Sequence, residues 1–83
     1  MNEKQQAAYD FAMARVEPGK EEELKGVLAG HFKLIDEMKN SGGGFDRERM
    51  RESGQKISAL LTVEGAKEYA EWREARRREH RGQ

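Results

Sequence analysis

The densest concentration of chemistry-bearing residues is the C-terminal run Trp72-Arg73-Glu74-Ala75-Arg76-Arg77-Arg78-Glu79-His80-Arg81. Arginine carries a rigid fork of donors that matches carboxylates and phosphates, so such a run can grip an acidic protein surface or a phosphate backbone. A tryptophan flanked by arginine also has the composition of a protein-binding hot spot. The expected partner-binding residues are therefore Tyr69, Trp72, Arg73, Arg76 and Arg77, and those that would meet nucleic acid are Arg73, Arg76, Arg77, Arg78 and Arg81. A plainer reading is open at the same positions. Glu68, Glu71, Glu74 and Glu79 stand at helical offsets from the arginines and can pair with them, which would make the run a solvated helix end. Trp72 itself has two destinations, exposed between arginines or folded over Phe11 or Tyr9.

Elsewhere the reactive residue types lack the company that chemistry needs. His31 could serve as a general base or a pH-sensitive group, but its place within an apolar stripe reads as a hydrogen-bonded histidine at the core edge. His80 is the only other histidine, and no carboxylate shares the face of His31 at ligand spacing, so no metal site is expected. Glu21-Glu22-Glu23 belong in the first turn of a helix, where the dipole favours carboxylates. Gly42-Gly43-Gly44 follow a helix and lack the Gly-Lys-Ser/Thr context of a phosphate loop. Ser41, Ser53 and Ser58 have no nucleophile-elbow context. With no cysteine in the chain, disulfides and thiolate chemistry are excluded. The sequence thus points to no catalytic residue, no metal and no cofactor, and to a protein that is not an enzyme.

The elements that would position these residues are helical. Leu24, Val27, Leu28, His31, Phe32, Leu34, Ile35 and Met38 recur at helical spacing and span a sector wide enough to meet two neighbours. This second helix is expected from Pro18 or Gly19 to about Asn40, closed by a left-handed cap in the triple glycine. Before it, residues 3–16 are rich in alanine and glutamine, with Asn2 as a cap, and predict a first helix. Asp46 is placed to cap a third, from Arg47 to about Leu61, so that the centre of the chain forms a helical hairpin. Gly54 shares the face of Met50, Ile57 and Leu61, which predicts a close helix contact there. Thr62 can cap a last helix from Val63 to His80, either separate from the third or continuous with it. Its inner face begins with Ala66, Tyr69 and Ala70 and turns basic at Arg73, Arg77 and His80, so the helix is expected to leave the bundle beyond Trp72. The fold expected is all-α, a small bundle of three to four short helices, with residues 1–72 as the bundle and 73–83 as a basic helical extension.

Eighty-three residues suit one domain with a small core. Charged residues make up 39% against 35% hydrophobic, which leaves few large side chains to offset the entropy of ordering and favours a homodimer. The formal net charge of zero hides an asymmetry, because five of the 16 Lys and Arg lie after residue 71 with only two of the 16 Asp and Glu. No apolar run approaches the length of a membrane span and the first residues lack an apolar leader, so no membrane contact and a cytoplasmic location are expected.

Two resemblances bear on function. The Trp72–Arg81 run resembles, in composition, the arginine-rich RNA-binding peptides of lambdoid phage antitermination proteins, which implies RNA binding. The stretch from Phe11 to Leu24, with Val16-Glu17-Pro18-Gly19-Lys20 at its centre, is similar to the first strand, Pro-Gly-Lys turn and helix of the antibiotic-biosynthesis-monooxygenase-like barrels. That similarity implies an α+β ferredoxin-like dimeric barrel, with further strands at Gly44-Phe45 and from Ile57 to Val63, a helix from Ala66 to Trp72, and a small-molecule oxygenase or heme-handling activity. Against this, residues 45–52 hold several charges and no β-branched residue, and residues 11–16 are alanine-rich. The leading expectation is a small non-catalytic interaction or regulatory protein, such as an adaptor, inhibitor or phage or mobile-element accessory factor, that binds another protein.

Overall fold

The computed structural model describes residues 2–41 and 46–81 and contains four helices, α1 (Glu3–Met13), α2 (Glu21–Ser41), α3 (Arg47–Ala59) and α4 (Val63–Arg81). Among the described residues there is no strand, only a single antiparallel bridge between Val16 and Leu61. The barrel expectation is thereby overturned, and the all-α one holds. Alanine and glutamine, which lose little freedom in a helix, win over the two residues that do pair as β-structure.

Three of the four helices start where a side chain can satisfy free amides. Asn2 Oδ1 accepts from the Gln5 N–H at 2.8 Å while the Gln5 side chain returns to the Asn2 amide, a reciprocal capping box. Asp46 caps α3 through the Arg49 amide, and Thr62 Oγ1 caps α4 through the Gly65 amide at 2.9 Å. The start of α2 is set by a tight turn over Glu17-Pro18-Gly19-Lys20. The Lys20 N–H donates to the Glu17 carbonyl at 3.1 Å, and Gly19 takes φ 87°. Proline second and positive-φ glycine third is the signature of a type II turn. The proposed glycine cap of α2 lies outside the described residues.

Two helices are shorter than their sequence pattern, for one shared reason. α1 stops at Met13 rather than residue 16, and α3 stops at Ala59 rather than Leu61. The residues released form the Val16–Leu61 bridge, in which the Thr62 N–H donates to the Arg15 carbonyl at 3.0 Å and the Glu17 N–H to the Leu60 carbonyl at 2.9 Å. The two connectors thus satisfy each other's backbone groups, and α3 and α4 are separate helices. Gly65 makes this approach feasible. A Cβ there would meet Arg15 Cβ at 2.6 Å, Thr62 Oγ1 at 2.8 Å and the Arg15 carbonyl oxygen at 3.0 Å.

Packing follows a closed ring, α2 against α1 and α3, and α4 against α3 and α1. Leu24, Leu28 and Phe32 of α2 form the centre of the core with Ala12, Ile57, Leu60, Leu61 and Tyr69, which is the two-neighbour role expected of the widest apolar face. On α4 the inner face differs from expectation. Gly65 and Tyr69 are buried, whereas Ala66 is half-buried and Ala70 exposed. The core-facing line therefore runs from Gly65 to Tyr69, on to the adjacent pair Trp72 and Arg73, and then to Arg76, with each step from Tyr69 through either member of the pair being three or four residues.

The two buried helical glycines separate backbone crowding from side-chain crowding. At Gly54 a new Cβ would meet only the guanidinium end of Arg73, which can move. Alanine also gains about 1 kcal/mol of helix propensity over glycine. In urea unfolding, Gly54→Ala is expected within about 1 kcal/mol of the parent. Gly65→Ala is expected to lose roughly 1–3 kcal/mol because backbone must shift; equal stability of the two variants would contradict the connector packing.

Candidate functional site

As far as Arg76, the basic part of α4 lies on the bundle. Trp72, Arg73 and Arg76 are half-buried, because rings from α1 and α4 give each of them something flat to lie on. Phe11 and Trp72 stack at 4.8 Å between centroids with 14° between planes. The Arg15 guanidinium lies 3.6 Å from the Phe11 centroid and that of Arg76 lies 4.7 Å from Trp72. The result is a stack in the order Arg15, Phe11, Trp72, Arg76, with Tyr69 6.0 Å from Trp72 beside it. Such cation–ring contacts contribute about 0.5–1 kcal/mol each near a surface. Together they explain why the apolar stripe can turn basic without leaving the fold.

Arg73 reaches deeper. It lies 5.7 Å from the Tyr69 ring and occupies the space left by the absent side chain of Gly54. This is the close contact expected at Gly54, made with an arginine from α4. The same cation faces His31, which is 4% exposed and shares a 2.6 Å hydrogen bond between Nδ1 and Ser53 Oγ. Burial first, and the Arg73 charge second, push the His31 pKa down from 6.5 to about 4. Burial raises the Tyr69 phenol above its ordinary value, with Arg73 pulling the other way.

A serine at 2.6 Å from a histidine invites comparison with a nucleophile and its base. The surroundings oppose that use, since a base must take up a proton, and both burial and Arg73 disfavour the imidazolium. The pair is suited to tying α2 to α3 while staying neutral. Among the described residues no group of His, Asp and Glu could hold a metal ion, and no helix is long and apolar enough to cross a membrane.

Between α1, α2 and α4 lies an open groove of about 300 Å³. Its floor includes Phe32, Ile35, Tyr69 and Trp72, with Ala8 on the α1 side, and His31 reaches its inner end. Its rim carries Lys4 from α1, Lys39 from α2, and Arg73 and Arg76 from α4, and no carboxylate lines it. The ion pairs among the described residues lie elsewhere, Arg15 with Glu68 at 3.2 Å and Lys25 with Glu22 at 3.4 Å. Asp36, three residues before Lys39 on α2, accepts from Gln5 Nε2 at 3.1 Å and lines a different surface. A second groove between α2 and α3, about 480 Å³, is lined by charges of both signs, Lys33, Arg49 and Lys56 with Glu37 and Glu52. Of these surfaces, the α1–α2–α4 groove is the one whose lining holds cations and no carboxylate.

Of the residues expected to bind a partner, Trp72, Arg73 and Arg76 meet in this groove, and Tyr69 belongs to its floor instead of an outer surface, being 2% exposed. It is buried because Phe11, Trp72 and Arg73 cover its ring. Arg78 is exposed and away from the groove; the side chains of Arg77 and Arg81 lie outside the described residues. Sequence reasoning missed Lys4 and Lys39, which stand 35 residues apart, because only the pairing of α1 with α2 brings them to one rim. A scan against protein-family models finds none that matches, and searches of curated proteins and of solved structures likewise return no match.

The neutral histidine has a consequence for stability. Above its unfolded value of 6.5, His31 is neutral in both states and acidity costs nothing. As pH falls below 6.5 the unfolded chain takes up a proton that the folded one refuses until about pH 4, so stability drops across that window and levels off beneath it. Between about pH 7 and pH 5 the parent should lose roughly 2 kcal/mol more than His31→Gln in parallel urea titrations. Parallel losses in both proteins would show that His31 is not held neutral.

Proposed function

We propose that this chain is a non-catalytic protein-binding module, a small adaptor or regulatory protein that takes a segment of its partner into the α1–α2–α4 groove. The observation that carries the reading is the combination in one open cleft of an aromatic and aliphatic floor with four rim cations that have no ion-pair partner among the described residues. Apolar floors supply affinity, and charged rims steer and select.

RNA binding draws less support from the geometry. Single-stranded RNA is read largely by bases stacked on exposed aromatic or guanidinium planes. Here one face of Trp72 carries Phe11, Arg76 lies over its ring, and Tyr69 is buried.

The test is a selection from a random peptide library on the parent protein, with counter-selection on Ala8→Trp, which places an indole at a residue lining the groove. Circular dichroism confirms first that the variant stays helical. Peptides that bind the parent and are lost on Ala8→Trp are expected. Binders that ignore the substitution would place the interaction elsewhere and overturn the reading.

A further inference from the structure

We infer that the partner segment is acidic and amphipathic, a short run of Asp and Glu around one or two large apolar side chains. The inference rests on the groove being a docking site and adds what should occupy it. Lys4, Lys39, Arg73 and Arg76 come from three different helices and surround the same opening. One carboxylate can pair with one guanidinium, or bridge two neighbours, and would leave the remaining cations uncompensated. Balancing the whole rim takes several carboxylates spread along a chain.

The floor sets the second half of the requirement. At about 300 Å³ the groove is at the small end of ligand pockets. It suits an anchoring side chain laid over Phe32, Ile35 and the edge of Trp72, with the rest of the segment running over the rim. The anchor is apolar, since Phe32 and Ile35 offer a charge no partner. The formal charge balance of the chain points the same way. Sixteen acids offset sixteen bases overall, yet none of those acids lines this opening. The complementary negative charge is left for the partner to bring.

Trp72 is the single tryptophan of the chain and lines the groove, so its fluorescence reports occupancy directly. The experiment takes the groove-dependent peptides from the library selection, scores their charge, and titrates the strongest against the parent. The same peptide with Glu and Asp replaced by Gln and Asn is titrated in parallel. The expected result is enrichment of acidic sequences and a Kd that rises about tenfold or more for the neutralised peptide. A comparable rise is expected for Arg76→Gln and for the Lys4→Gln, Lys39→Gln double variant. The lysine pair is included because both residues are exposed, so its loss leaves the core intact even if changes at Arg76 disturb the ring stack. Affinity should also fall as salt is raised. Groove-dependent peptides that are neutral or basic, or acidic ones that bind equally well after neutralisation, would overturn the inference while leaving the docking reading in place. A short RNA hairpin that displaces the peptides and binds more tightly would overturn both.

Discussion

The face that α4 turns to the bundle depends on cations lying against rings, Arg76 over Trp72 and Arg73 beside Tyr69. Arg73 stands where α3 and α4 approach, in space that exists because residue 54 has no side chain, with the Tyr69 ring to one side and His31 facing it. A cation so close to the core is costly unless its charge finds favourable company. Here the company is a ring face and an open, solvated groove, and the adjacent histidine adapts by remaining neutral. From that arrangement follow the inward course of α4, the cover over Tyr69, and a rim whose positive charge has no intramolecular counterweight among the described residues.

The second constraint is the pairing of the two connectors. The Glu17-Pro18-Gly19-Lys20 turn and the Leu60-Leu61-Thr62 segment meet through the Val16–Leu61 bridge, and Gly65 allows the backbones to come that close. This contact fixes where α1 ends and α4 begins, and so sets the register that brings Phe11 under Trp72. Small helical domains have little core to spare. A backbone tie between distant connectors reduces how much of the orientation must be carried by side-chain packing alone.

Local signals were legible in the sequence and long-range ones were not. Asn2, Asp46 and Thr62 act as the caps their residue types suggest, and the wide apolar face of α2 packs on two neighbours, because capping and periodicity depend on residues within a turn or two. The ends of α1 and α3 were misplaced because the Val16–Leu61 pairing joins segments 45 residues apart. The similarity to a barrel's strand, turn and helix is real at Glu17 to Lys20, where a tight turn does form, and misleading before it, where Phe11 to Met13 belong to the end of α1 and only Val16 pairs as β-structure. As for the groove, Trp72, Arg73 and Arg76 were visible as a composition, and Gly54 as a close contact. What periodicity could not show was that the basic side faces α1 and α2, since rings on another helix supply the reason. Lys4 and Lys39 carry no local mark at all.

The groove exists only if α4 lies on the bundle in solution as far as Arg76. The most direct measurement is a nuclear Overhauser experiment on the free protein between the Phe11 ring and the Trp72 indole, whose centroids are 4.8 Å apart. Strong cross-peaks, with helical shifts continuing through Arg76, are the predicted result. Absent cross-peaks together with a Trp72 indole at solvent-exposed shifts would mean that α4 leaves the bundle there, and that the groove does not exist as described.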